Sequence, residues 1–261
     1  MIVISGYPSS LKKPCVLYGN AFVDGTTTYT SNEAAGPNAI DGNTYDAWTP
    51  GSLPATISTT LAAPSRLDCL CIAAHTLAAT GTTLTLEYYN GTTWVEIEAF
   101  SPTTGGPVML IFEPITATQW RVTFSGGTVP AIGVIALGKR LTMATGIAGD
   151  YNPTNWARTV DVLGGDTMGG QFLGQRIVRR GGQTRIPFGS IDREWFDTNA
   201  VAFIDHYNDA KPFFYAGGPR TVPNDLAYCW RPEGASEAAR TLIEAGALVR
   251  LSLDVAFHVA A

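Results

Sequence analysis

The sequence predicts an all-β protein with one helix: a β-sandwich followed by a second β-sandwich-type domain that carries the helix. Three observations predict it. Turn formers are abundant, with 28 Gly and 16 Pro in 261 residues, and they punctuate short runs rich in Thr and other β-branched residues. Period-2 alternation is strong in several segments, whereas helical periodicity is clear in one place only. Heptads and long amphipathic stretches are absent, which excludes a helical bundle or a coiled coil.

The length suits two domains of ordinary size. Residues 1–29 read as a lead segment, 30–143 as the first domain and 144–261 as the second. The boundary falls in 142–153, where small and polar residues with Gly146, Gly149 and Pro153 mark a linker or an irregular crossing. In the first domain, residues 55–61 follow Pro54 as a Thr- and Ser-rich strand. Residues 67–73 are almost continuously apolar, as a strand buried on both faces would be. Leu84, Leu86 and Tyr88 alternate with Thr85, Glu87 and Tyr89; then Asn90-Gly91 leads into Thr92, Thr93, Trp94 and Val95. Asn-Gly accepts positive φ at both turn positions, so this pair predicts a hairpin. Residues 108–112 and 119–124 read as another antiparallel pair. In the latter, Trp120, Val122 and Phe124 share one face, and Gln119, Arg121 and Thr123 the other. Residues 132–137 complete the set.

In the second domain Phe196, Ala200, Phe203 or Ile204, and Tyr207 recur at helical spacing over 191–208. Ser190 or Asp192 can cap the start, and Gly217-Gly218 lies beyond the end. Residues 212–216 and 227–230 are short aromatic strands. Val249, Leu251, Leu253, Val255, Phe257 and Val259 alternate with Arg250, Ser252, Asp254, Ala256 and His258, which predicts a closing strand over 248–259. For 236–245 a short helix and an extended loop both stay open.

Composition excludes several classes. With 45% apolar and 15% charged residues the chain has the makings of a core, not of disorder. A net charge of −5 disfavours sequence-independent nucleic-acid binding, which needs a basic surface. No apolar run approaches the roughly 18 residues needed to span a bilayer, so membrane insertion is not expected. The lysines follow a short apolar start in residues 1–14, the wrong order for a secretory signal. Cys15, Cys69, Cys71 and Cys229 are too few and too scattered for a disulfide framework. They read as small buried apolar groups in a chain that folds in a reducing cytoplasm.

Catalytic signatures are missing. His75, His206 and His258 are scattered, with no His-x-x-x-His or Glu-x-x-His spacing. Phe188-Gly189-Ser190-Ile191 lacks the second glycine of a nucleophile elbow. The glycines between 164 and 174 lack the Lys-Ser/Thr that grips phosphate. Asp192, Glu194 and Asp197 suit the positive end of a helix dipole. The chain is therefore read as non-enzymatic. Arg176, Arg179, Arg180 and Arg185, with Arg193, form a basic cluster. It reads either as a solvated strand pair around Gly181-Gly182 or as a subunit interface, with Asp205, Asp209 and Asp225 as carboxylates of a partner copy.

Residues 37–48, Pro-Asn-Ala-Ile-Asp-Gly-Asn-Thr-Tyr-Asp-Ala-Trp, make a tight carbonyl-rich loop. Such a loop can hold a hard cation or be an Asx-type turn anchored by Trp48. Asn38, Ala39, Asp41 and Gly42 followed by Trp48, the hairpin 84–97, and the late strand Trp120-Arg121-Val122-Thr123-Phe124 together resemble discoidin-like (F5/8 type C, galactose-binding-like) domains over about residues 30–140. The resemblance implies a jelly roll that often binds glycans. In calcium-dependent members the positions matching Asn38 and Asn43 supply main-chain carbonyls and Asp41 its carboxylate, so calcium is the one cofactor implied. The chain departs from the pattern at Asp46, where Ser or Thr is usual, and has no counterpart of the sugar-binding His/Arg set. Tyr45, Trp48, Tyr88 and Tyr89 are the aromatic candidates for stacking on sugar rings.

Residues 185–195, then 203–207, 211–215, 227–230 and the closing strand, resemble in order and aromatic content the tail-tip and distal-tail (minor tail) proteins of long-tailed bacteriophages. This second resemblance spans about residues 150–261. It implies a ring-forming structural subunit of the virion tail tip or baseplate, made in the host cytoplasm. Its partners would be tail tube and tail hub proteins, copies of itself, and host surface polysaccharide. The alternative is a carbohydrate-binding protein that acts independently of a virion. A glycan-degrading enzyme is a third reading; it would need two carboxylates facing each other across a cleft at roughly 5–10 Å.

Overall fold

The computed structural model describes residues 1–6 and 11–259, with all their side chains except that of Arg179. The first part of the chain runs β1 (Ile2–Ser5), β2 (Cys15–Leu17), α1 (Ala21–Asp24), β3 (Thr26–Tyr29), β4 (Ala55–His75), α2 (Leu77–Thr80), β5 (Thr83–Tyr89), β6 (Trp94–Phe100), β7 (Val108–Ser125), β8 (Ile132–Gly138) and β9 (Leu141–Thr142). The rest runs β10 (Arg158–Asp166), β11 (Phe172–Asp192), α3 (Arg193–Asn199), α4 (Val201–Asn208), β12 (Phe213–Ala216), β13 (Leu226–Trp230), β14 (Ala239–Ile243) and β15 (Leu248–Phe257). The chain is thus mostly β-sheet with a few short helices.

Two long strands frame the first sandwich. β4 and β7 pair antiparallel, with register shifts between Thr60 and Ser65 and between Leu67 and Cys69. Such irregularities bend a strand, and each strand contributes one half to each layer. One layer carries β3, β5 and β6; the other carries β8 on β4 and β1, in parallel, on β7. Segments 108–112 and 119–124 are therefore halves of one strand, not the antiparallel pair the sequence suggests. No Gly, Asn or Asp stands between Phe112 and Gln119 to turn the chain, and each half pairs with β4 instead. The Asn90-Gly91 hairpin forms as expected. Gly91 has φ +97°, and Asn90 Oδ1 accepts from the backbone N–H groups of Thr92 and Thr93, both at 2.9 Å.

The core of this sandwich gathers Trp48, Ile57, Leu70, Leu110, Trp120 and Phe124. The apolar run 67–73 is buried on both faces, as its composition requires. Leu70 and Ile72 point into the sandwich, while Cys69, Cys71 and Ala73 point out of it. They meet Met109, Ile111, Val134 and Ala136 in a second core that a further sheet covers.

That further sheet has the order β10-β11-β15-β13-β12-β2-β9, with β14 also on β15. Its inner face lays Cys15, Leu17, Phe214, Ala216, Leu226 and Tyr228 on the first sandwich. Its outer face holds α3 and α4 through Phe196, Phe203, Ile204 and Tyr207. The single helix expected over 191–208 is two consecutive helices that meet at Ala200, and Asp192 caps the first by accepting from Trp195 N at 2.9 Å. In β15, Val249, Leu251, Leu253, Val255 and Phe257 are all buried, as the alternation predicts. Residues 236–245, left open by the sequence, supply β14 and the start of a 3-10 turn.

The lead segment contributes to both sheets: β1 completes the first sandwich and β2 joins the second sheet between β12 and β9. The crossing 144–157 is equally well fixed. The buried carboxylate of Asp225 accepts from Tyr151 Oη, Thr154 N and Thr154 Oγ1 at 2.8 to 3.0 Å. Among the described residues, no helix is long and apolar enough to cross a membrane.

Candidate functional site

The most unusual surface is an arm built by β10 and the first half of β11. β15 pairs with β11 only from Gly182 onward, Gly182 lying opposite Phe257. Residues 172–181 have β10 as their sole strand partner, so the arm reaches about 30 Å past the last shared pairing, at roughly 3.3 Å per residue. At the tip Thr167 N donates to Gln171 O at 2.9 Å and Gly170 N to Thr167 O at 2.8 Å. A bulge follows from the register, Asp161 opposite Arg179 but Val162 opposite Ile177.

The side chains of the arm are those of an interface rather than of a solvated loop. Val160 and Val162 lie on one face of β10, with Ile177 directly opposite Val162. Val162 is 49% exposed and Ile177 46%, with no cover on the outer side of either among the described residues. Leu163, Phe172, Leu173 and Val178 are more exposed still, Phe172 at 67%. A two-stranded ribbon is marginal alone in water. An exposed apolar ribbon with an open edge is a pairing template unless something covers it.

The arginine cluster of the sequence divides. Arg176 and Arg180 stand exposed on the arm, and the backbone of Arg179 lies between them; the side chain of Arg179 is outside the described atoms. Arg185 sits on the sheet and pairs with Asp254 through both Nε (2.7 Å) and Nη2 (3.2 Å). This pair holds the already basic guanidinium higher still, by hydrogen bond first and charge second. Arg193 pairs with Asp197 along α3 at 3.5 Å. Among the described side chains of the cluster, those of Arg185 and Arg193 therefore have carboxylates within the chain. Of the carboxylates assigned to a partner copy, Asp225 is buried and committed to Tyr151 and Thr154, and Asp209 binds Lys211 at 2.9 Å.

The loop 37–48 folds as an Asx-type turn docked on the second sheet. Asp41 Oδ1 accepts from Asn43 N, and Oδ2 from Asn43 Nδ2, both at 2.8 Å. The carbonyl of Gly42 accepts from Tyr228 Oη at 2.7 Å. Gly42 has φ +86°, and a Cβ there would stand 3.1 Å from Pro212 and 3.2 Å from Tyr228 Oη, so glycine suits both the turn and the close approach. Asn38 lies in the preceding 3-10 turn, Glu33–Ala39. Both Asp41 carboxylate oxygens thus accept from Asn43 and the Gly42 carbonyl accepts from Tyr228, so the loop is closed by its own hydrogen bonds. No group of three or more His, Cys, Asp or Glu side chains placed to hold a metal exists among the described residues.

The four aromatic candidates also divide. Trp48 is fully buried, its Nε1 donating to Ser31 O at 3.0 Å, so it anchors the loop and has no face open to a sugar. Tyr88 packs against Trp120 at 6.1 Å and belongs to the margin of the core. Tyr89 is half-buried and meets Trp94 at 5.5 Å. Tyr45 is 86% exposed. Its neighbour Thr44 lines a hollow of about 510 Å³ at the base of the arm, together with Asp161, Arg180, Gln183, Trp230 and His258. The fold thus brings the loop and the arm, far apart in sequence, to one place.

The remaining cysteines and histidines are set largely by burial. Cys69 and Cys71 share one face, as their spacing requires, with sulfurs 3.7 Å apart. Burial pushes the Cys15 thiol up to about 12 and raises Cys71 and Cys229 as well. Burial lowers His75 to about 4, against the bond of its Nε2 to Gly106 O at 3.0 Å. His206 and His258 are lowered by burial too.

No family model matches the chain, and no curated protein matches it. Solved structures do. The family 32 carbohydrate-binding module of Clostridium perfringens NanJ, in complex with galactose, is similar at 18% identity and a TM-score of 0.39, over 48% of this chain and 98% of that one. CpGH89CBM32-5 from Clostridium perfringens, in complex with GalNAc-beta-1,3-galactose, is similar at 18% identity and a TM-score of 0.39, over 45% and 97%. A Ruminococcus gnavus GH29 fucosidase in complex with fucose has 22% identity and a TM-score of 0.39 over 47% of this chain. The match spans only 27% of the fucosidase. These neighbours are carbohydrate-binding modules or a glycosidase; none of them is a tail protein.

Proposed function

We propose that this chain is a non-catalytic structural subunit of a multi-copy assembly, joined to its neighbours through the arm and presenting glycan-contacting surface from the first sandwich. The observation that carries the reading is the arm itself: a two-stranded ribbon with apolar side chains uncovered on it and an open edge. Each such side chain contributes roughly 1.5–3 kcal/mol on full burial. Charge points to a second copy as the occupant. The arm, residues 158–183, holds four arginines against two aspartates in a chain of net charge −5, so the rest of the molecule is acidic. A basic arm on one copy and an acidic body on the next are complementary. A head-to-tail contact of this kind closes into a ring when its rotation allows.

The glycan part of the reading rests on the discoidin-like motifs of residues 30–140 and on the hollow beside Tyr45, which combines Trp230 with hydrogen-bonding groups. Repetition around a ring would turn weak single contacts into avid binding. The finer setting is the tip of a bacteriophage tail, with tube and hub proteins as neighbours. It rests on the sequence resemblance of residues 150–261 alone. An independent carbohydrate-binding protein is the competing setting, and the carbohydrate-binding modules among the structural neighbours agree with it in fold.

A glycan array read with the full chain and with a Val162→Asp, Ile177→Asp variant tests the reading. Binding that weakens at least tenfold with the arm altered, and survives at high protein concentration, is the expected result. Equal binding by both proteins separates glycan contact from assembly and overturns the multivalent account.

A further inference from the structure

We infer that the seam between the first sandwich and α3 is a binding groove for an anionic polysaccharide, separate from the loop 37–48 and from the arm. Arg66 and Lys139 are 73 positions apart in sequence. β8 pairs with β4 so that Gly138 lies opposite Cys69, and Arg66 and Lys139 therefore leave the same end of that strand pair. Both line a hollow of about 470 Å³. No carboxylate pairs with either among the described residues, although the chain as a whole is acidic.

Asp68 is the one carboxylate in the lining of this hollow, and it is already committed. It accepts from Arg140 N at 2.8 Å and from Arg140 Nε at 3.0 Å, and both side chains are largely buried. The buried pair cancels its own charge and fixes the floor, which leaves Arg66 and Lys139 to set a positive field. A concave wall concentrates such a field on an incoming anion.

Shape and lining favour a sugar polymer over a single ion. A second hollow of about 520 Å³ shares Tyr18, Arg66 and Lys139 with the first; its lining adds one exposed carboxylate, Asp24, against the two cations. The cations stand in the middle of a continuous groove, which suits a chain that runs past them. Trp195 on α3 contributes a half-buried indole to the wall, a flat surface for a sugar ring. Asn199, whose Nδ2 donates to Trp195 O at 2.9 Å, keeps its carbonyl oxygen to accept from a hydroxyl. An aromatic wall, hydroxyl-compatible polar groups and two cations match a uronate-bearing glycan.

Affinity electrophoresis of the full chain tests the proposal, in gels that contain polygalacturonate, neutral dextran or polyglutamate. Retardation by polygalacturonate alone is expected, falling steeply with added salt. The Arg66→Ala, Lys139→Ala variant should lose it by tenfold or more, while Trp195→Ala weakens it several-fold. Both cations are solvent-exposed, so an unchanged unfolding midpoint shows that the double variant is folded. Arg185→Ala, which removes a cation elsewhere on the sheet, should retain binding. Equal retardation by polyglutamate would mean an acidic peptide site, and unchanged retardation of the double variant would mean a different surface; either overturns the inference. The arm variant Val162→Asp, Ile177→Asp must still be retarded as a single subunit, which keeps this result distinct from the fate of the assembly reading.

Discussion

Replacing Ile111 by Ala tests how the two parts of the chain are held together. Ile111 is fully buried on the outer side of β7, in the core shared by the first sandwich and the second sheet. The change removes three carbons, about 2.4 kcal/mol of transfer free energy at roughly 0.8 kcal/mol each. The cavity adds to this because neighbours relax only in part, bringing the expected cost to about 3–4 kcal/mol. The neighbours here, Cys69 on β4 and the residues of β2, β12 and β13, belong to strands that are paired on both sides, so little collapse is expected. Urea unfolding read by tryptophan emission and by far-ultraviolet circular dichroism is the assay. The midpoint should fall with an unchanged slope, and the two signals should coincide before and after the change, because one core serves both parts. A loss under about 1 kcal/mol, or two separated transitions with only one displaced, would show that the second sheet does not cover β7 and would refute the shared core.

Other consequences are simpler to state. His75 is held near 4 by burial when folded and has a reference value of 6.5, so the unfolded chain takes up the proton first. Its stabilisation is complete above about pH 6.5 and is lost as the pH falls toward 4, by at most about 3 kcal/mol. Stability measured at pH 7 and pH 4.5 should differ less in His75→Gln than in the unaltered chain; equal differences would remove His75 from the account. Because Asn43 and Tyr228 already occupy the oxygens around Asp41, millimolar calcium should leave the thermal midpoint unchanged. A rise of several degrees that is abolished in Asp41→Asn would restore the metal reading.

Much of this architecture was legible because the signals were local. The alternation of β15, the Asn90-Gly91 turn and the double-faced burial of 67–73 each follow from side-chain pattern alone. What was not legible depends on partners distant in sequence. Nothing in Val108 to Phe124 says that its two halves pair with β4 rather than with each other, except the absence of Gly, Asn or Asp between them. The lead 1–29 showed no strands because three-residue strands such as β2 carry no periodicity; its partners on β12 and β9, distant in sequence, define it as a strand. At the sites, the arginines of the arm could be read from their clustering, but Arg185 and Arg193 have partners in Asp254 and Asp197 that spacing alone does not assign. Trp48 reads equally as anchor or as sugar platform, and its burial decides. Arg66 and Lys139 left no mark in the sequence, because only the pairing of β4 with β8 makes them neighbours.

The direct test of the central claim is the mass of the purified full chain in solution across a concentration series, by light scattering, beside the Val162→Asp, Ile177→Asp variant. A discrete species of several subunits, reduced to the 27.7 kDa single chain by those two substitutions, is the predicted result. A single chain at every concentration, with or without the substitutions, would mean that the arm does not join copies of this protein.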